Sequence, residues 1–138
     1  MDKPYPISLL NVFFTRSIVI TVQEHQSSGQ PIQFPPQNEI QVHQHPNEQG
    51  QYIASMRSRL NPEGAASDPY IIDVECAAIF KVDASLDVQE AYKAVTITGH
   101  SVLFGAIREH IAWITGRQAH GQLTLGLSVL RPKQPSDE

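Results

Sequence analysis

Two stretches decide the fold: Tyr52-Ile-Ala-Ser-Met-Arg-Ser-Arg-Leu60 and Tyr70-Ile-Ile-Asp-Val-Glu-Cys-Ala-Ala-Ile-Phe-Lys-Val82. In the second, Ile72, Val74, Cys76, Ala78, Phe80 and Val82 recur at alternate positions, with Asp73, Glu75 and Lys81 between them. Successive strand side chains point to opposite faces, so this is a strand with one buried and one wetted face. The first stretch alternates likewise, with Tyr52, Ala54, Met56 and Leu60 inward and Ser55, Arg57 and Arg59 outward. Asn61-Pro-Glu-Gly-Ala-Ala-Ser-Asp-Pro69 between them is rich in turn formers and predicts an antiparallel hairpin. A register that sets Arg57 against Glu75 and Arg59 against Asp73 also sets Met56 against Cys76 and Leu60 against Ile72. Both faces agree. Exposed cross-strand ion pairs contribute roughly 0.2–1 kcal/mol each, so these charges fit an ordinary solvated face as well as a docking surface.

Working outward, residues 8–22 read as a long strand, with Leu10, Val12, Phe14, Ile18, Ile20 and Val22 on one face, broken by Arg16. Residues 23–38 hold Ser27-Ser28-Gly29 and Pro35-Pro36 and form an irregular crossover. Glu39–Gln44 is a short strand, with Ile40 and Val42 on one face. After Val82, Ser85 can cap a short helix to about Tyr92, with Asp87 near its positive end. A longer helix is predicted from about Gly99 to Thr115, with Leu103, Ile107, Ile111 and Ile114 as its apolar stripe, widened by Val102, Ala106 and Trp113 and stopped by Gly116. Gln122–Leu130 is extended with its pairing open, and the tail 131–138 is expected to be disordered. This order predicts one α+β domain over 1–138: a four-stranded antiparallel sheet with helices packed on one face.

The chain has 138 residues, enough for one domain, and its 10 basic and 14 acidic residues argue against general nucleic-acid binding. No run reaches the ~18 apolar residues of a membrane span. Met1-Asp-Lys-Pro-Tyr-Pro6 lacks the order of a secretory signal, and the single cysteine gives no internal disulfide, so a cytoplasmic location is expected.

Among residues that could carry chemistry, His43 and His45 can point to one side of a strand and hold an ion, but a third ligand is missing. The plainer reading is two solvated polar positions, and no metal or cofactor is expected. His100, His110 and His120 share no helical face. Cys76 lies among apolar neighbours, where cysteine behaves as a small hydrophobe. No Walker loop, dinucleotide fingerprint, HExxH or GxSxG occurs. Glu109 and His110 are the one adjacent pair that a small hot-dog-like enzyme or ligand-binding domain could use; otherwise they are solvated helix positions. The expectation is that the chain is not an enzyme.

Three segments together resemble the SecB export-chaperone family: Val12-Phe-Phe-Thr-Arg-Ser-Ile18, Tyr70-Ile-Ile-Asp-Val-Glu-Cys-Ala-Ala-Ile-Phe80, and Val102-Leu-Phe-Gly-Ala-Ile-Arg-Glu-His-Ile111 followed by Thr115-Gly-Arg117. The likeness spans roughly residues 10–127, and no single motif in it is diagnostic. It implies a SecB-like sheet backed by helices and assembled as a homotetramer, a dimer of dimers. The implied activity is ATP-independent binding of unfolded preproteins in protein transport, with handover to the translocation motor SecA. It also implies a client groove at Phe34, Ile40, Val42, Leu123 and Leu125, and oligomer contacts at Ile72, Val74 and Cys76. The core reading of Ile40, Val42 and Phe34 stands beside the groove reading.

The departures fall on the motor-docking face. Positions that carry acids in the family's first strand are Ser17 and Thr21 here, which leaves Asp73 with Glu75 nearby. The crossover tryptophan is absent, with Pro36 near its place; the family's Phe-Pro-x-Leu reads His120-Gly-Gln-Leu123, and its last helix has no counterpart. A SecB-like chaperone dedicated to another client, such as an antitoxin, therefore stands beside the export reading.

Overall fold

The computed structural model describes residues 6–26, 37–126 and 128. Four strands, β1 (Ile7–Thr21), β2 (Gln37–Gln44), β3 (Gln51–Leu60) and β4 (Tyr70–Val82), form an antiparallel sheet in the order β1-β4-β3-β2. One helix, α1 (Val88–Thr115), covers one face. The hairpin register is the expected one, with Met56 opposite Cys76, Arg57 opposite Glu75, Arg59 opposite Asp73 and Leu60 opposite Ile72. The alternate residues of β3 and β4 that face α1 are buried with Val95, Leu103, Ile107 and Ile111 of the helix. Ser58, also fully buried there, donates to the Asn38 side chain, so no buried polar group goes unpaired among the described residues.

The helical layer differs from expectation. A single helix replaces two, capped by the Asp87 carboxylate, which accepts the Glu90 N–H at 2.8 Å. Gly99 is not a start signal. It lies mid-helix where α1 passes closest to β3, and a Cβ there would stand 3.0 Å from Ala54 Cβ. The expected stop at Gly116 is observed. Trp113 does not widen the buried stripe; it is 62% exposed.

Strand β1 also differs. Register shifts between Leu9 and Asn11 and between Phe14 and Arg16 are β-bulges, each of which changes the face that later residues present. Val12 and Phe14 lie opposite Ala78 and Cys76 on the helix side, but Ser17, Val19 and Thr21 follow them there, while Ile18 and Ile20 point away. The single apolar face expected for this strand does not exist. Leu9, Leu10, Phe13, Phe14, Ile18 and Ile20 are 37–51% exposed.

Residues 122–126 form no strand. The buried Thr115 hydroxyl donates to Ile111 O at 2.6 Å and accepts the Leu123 N–H at 2.8 Å, turning the chain back along the helix. The tail 131–138 lies outside the described residues.

Candidate functional site

Several expected site residues are structural. Ile72, Val74 and Cys76 are sealed beneath α1 within this chain, so the oligomer contacts expected of them are corrected: they are core. Burial pushes the Cys76 thiol up to about 11, leaving it protonated at neutral pH and out of reach of a substrate. Leu123 and Leu125 are likewise core residues rather than groove lining. Ile40 and Val42 remain half-buried on β2, the second edge of the sheet, facing α1 and paired with Met56 and Ala54. Beside them Asn38 donates to Ser128, whose hydroxyl lies 3.1 Å from His100 Nε2. Phe34 and Pro36 lie outside the described residues.

The four positions expected on a docking face do not share one. Ser17 and Thr21 face the helix, where Ser17 Oγ is 2.7 Å from His110 Nε2 and Thr21 donates to the Gln118 side chain at 2.6 Å. Asp73 and Glu75 lie on the opposite, uncovered face. There Arg57 Nε and Nη2 donate to Asp73 at 2.8 and 2.6 Å, Arg16 stands 3.7 Å from the same carboxylate, and Arg59 pairs with Glu39. Glu75 accepts the Thr15 hydroxyl at 2.6 Å. The Arg57 hydrogen bonds hold the Asp73 carboxyl below its ordinary range, against a smaller upward push from burial. The row Arg16, Glu75, Arg57, Glu39 thus crosses the sheet with alternating sign.

The histidines are engaged locally. His45 Nδ1 accepts the N–H groups of Asn47 and Glu48 at 3.1 and 3.2 Å, capping the turn after β2. His120 Nε2 lies 2.8 Å from Val22 O. Among the described residues no cluster of three His, Cys, Asp or Glu side chains could hold a metal ion. His110 stacks on Phe14 with ring centroids 4.2 Å apart, and burial lowers its pKa. With Glu109, Ala106 and Trp113 these rings line a shallow notch of about 290 Å³.

Sequence reasoning missed the main surface feature. Among the described residues, all nine exposed large hydrophobic side chains lie on β1 or α1. A signal was present: the doublets Leu9-Leu10 and Phe13-Phe14 place apolar residues on both faces of one strand. Such an edge strand has only Arg16 and its two bulges to oppose pairing with another chain.

This is a SecB-like fold: a four-stranded antiparallel sheet with one helix packed on it. It is similar to the SecB-like chaperone Rv1957 of Mycobacterium tuberculosis, solved in complex with a ChAD peptide from the antitoxin HigA1, with TM-score 0.69 and 23% identity over 91% of each chain. A protein of unknown function from Streptococcus agalactiae matches at TM-score 0.55 and 9% identity, covering 88% of this chain and 97% of that one. No protein-family model and no curated protein matches the chain. None of the described helices is long and apolar enough to cross a membrane.

Proposed function

We propose that the chain is a single-domain, cytoplasmic, ATP-independent chaperone that binds unfolded segments of other polypeptides. The carrying observation is the open β2 edge of the sheet, where Ile40 and Val42 stand half-buried beside a strand paired on one side only among the described residues. That is a binding surface with no need of catalytic groups. Clients lie in the groove beside β2 against Ile40 and Val42, extended so that the open edge supplies backbone hydrogen bonds. The apolar surface of β1 and α1 serves self-assembly into the homotetramer.

For the client, a dedicated partner such as an antitoxin is the reading better supported. The similar mycobacterial chaperone is seen with an antitoxin peptide, and the uncovered sheet face here balances its charges internally. Preprotein handover to SecA is the second reading, carried by Asp73 and Glu75 on that face. The purified protein is expected to suppress aggregation of a denatured, unrelated polypeptide without ATP. No suppression at stoichiometric excess removes the general holdase reading, and failure to retain an antitoxin segment as well removes the proposal.

A further inference from the structure

The segment that follows α1 returns to the space between the helix and β2. From Gln122 to Gly126 exposed and buried residues alternate strictly, with Leu123 and Leu125 inward, as in a strand laid on a core. Yet none of these residues forms a backbone hydrogen bond with the backbone of another described residue; the Leu123 N–H goes to the Thr115 hydroxyl. The segment has the pattern of an extended, alternately apolar peptide and leaves the open edge of β2 unused.

Among the described residues it ends in a polar latch. Buried Ser58 of β3 donates to Asn38 Oδ1, and Asn38 Nδ2 donates to Ser128 Oγ at 2.9 Å. That oxygen lies 3.1 Å from Nε2 of His100, itself only 8% exposed. One hydroxyl therefore bridges β2 and α1. Asn38 heads the same inward row of β2 as Ile40 and Val42, so the bridge stands across one end of the surface assigned to clients. We propose that the segment ending in Ser128 is an internal stand-in for the client: it closes the Asn38 end of the groove in the free chain, and an unfolded segment binds by displacing it. This rests on the client-groove part of the functional reading. Tethering favours the internal segment, since it acts at high effective concentration. A client has what the segment lacks, a backbone that pairs with the β2 edge. The latch thus sets a threshold that only a chain able to form that ladder crosses.

The test follows, by fluorescence anisotropy, the binding of labelled, reduced and carboxymethylated α-lactalbumin, an unfolded chain without free thiols. Asn38→Cys with Ser128→Cys sets two thiols where two side chains now touch, and Cys76 is buried. Oxidised, this variant is expected to bind the probe about tenfold more weakly than after reduction. Ser128→Ala removes the bridge and is expected to bind about threefold more tightly than the unmodified chain, a gain that a merely structural hydrogen bond would not give. Equal affinity of the oxidised and reduced forms, or failure of the disulfide to form, overturns the latch and keeps the groove. Where Asn38→Cys unfolds the chain by stranding Ser58, Ser128→Ala alone decides, and unchanged or weaker binding overturns the proposal. Absence of binding by the unmodified chain, the reduced variant and Ser128→Ala alike overturns the client reading itself.

Discussion

Arg57 and Asp73 are bound diagonally across the β3–β4 hairpin by two hydrogen bonds, although the register sets each of them opposite a different partner. Side chains on one face of a sheet lean along the strand, so a diagonal neighbour lies within reach of a long arginine. That leaves Glu75 to the Thr15 hydroxyl and Arg59 to Glu39 on the next strand. One diagonal choice therefore connects all four strands on the uncovered face.

The pairing has a pH signature. The folded Asp73 carboxyl titrates below its ordinary value of 3.8, so its contribution to stability is present above that value and is lost as pH falls through the lowered folded one. Arg57→Met should raise the Asp73 pKa and flatten the acid limb of the stability curve. Carboxyl NMR titration, with urea midpoints measured from pH 5 downward, reads both effects (the pH 5 start is about one unit above the ordinary range). An unchanged Asp73 titration in Arg57→Met would show that Arg16 holds the carboxylate instead.

On SecA, the uncovered face carries Arg16, Arg57, Arg59 and Lys81 against Glu39, Asp73 and Glu75 and so has no acidic excess. Complementary charge governs encounter rate and register at such surfaces. Binding to SecA should be weak and change little with salt. Neutralising Arg57 and Arg59 to Gln should strengthen it, whereas Ser17→Asp should not, because Ser17 faces α1. Tight, salt-dependent binding by the unmodified chain, abolished in Asp73→Asn, would refute this.

Gly99 and Gly105 should respond to alanine with opposite signs. Gly99→Ala drives a Cβ to 3.0 Å from Ala54 Cβ, and overpacking of this kind costs about 1–3 kcal/mol, more than the ~1 kcal/mol gained in helix propensity. Adding Ala54→Gly should return most of the loss. Gly105→Ala meets open space and should stabilise the folded chain by ~0.5–1 kcal/mol. Urea denaturation at fixed protein concentration distinguishes them; two stabilising outcomes would mean that the helix can lift away from β3.

For the client groove, Ile40→Ser with Val42→Ser should reduce aggregation suppression severalfold while far-ultraviolet circular dichroism stays unchanged. Both side chains are only half-buried, so their loss should cost less than the ~2–5 kcal/mol of a full core truncation. Unfolding of this variant would make the two residues core and move the client surface elsewhere.

The hairpin was legible because β3 and β4 alternate strictly and both faces vote for one register, Met56 with Cys76 and Arg57 with Glu75. The long helix was legible in its second half, where Leu103, Ile107 and Ile111 repeat with helical spacing. Its first half was hidden by Gly99, which reads as punctuation in one dimension but is a contact in three: the glycine lets α1 approach Ala54. The groove and docking residues were harder. Whether Leu123 lies in a groove or under the helix depends on Thr115 holding the chain back, a contact between distant functional groups that no periodicity encodes.

The two bulges in β1 act as parity switches. A regular strand assigns odd and even numbers to fixed sides, and each bulge exchanges the assignment for everything beyond it. Matching β1 position by position to an unbulged strand therefore carries inward residues onto outward ones: Ser17 and Thr21 face α1, on the side opposite to Asp73. Any residue-level comparison of this strand needs a one-residue gap at Leu10 and another at Thr15. A natural or engineered deletion of either residue would remove its switch and make the strand regular there, leaving every other β1 side chain opposite its present β4 partner and on its present face.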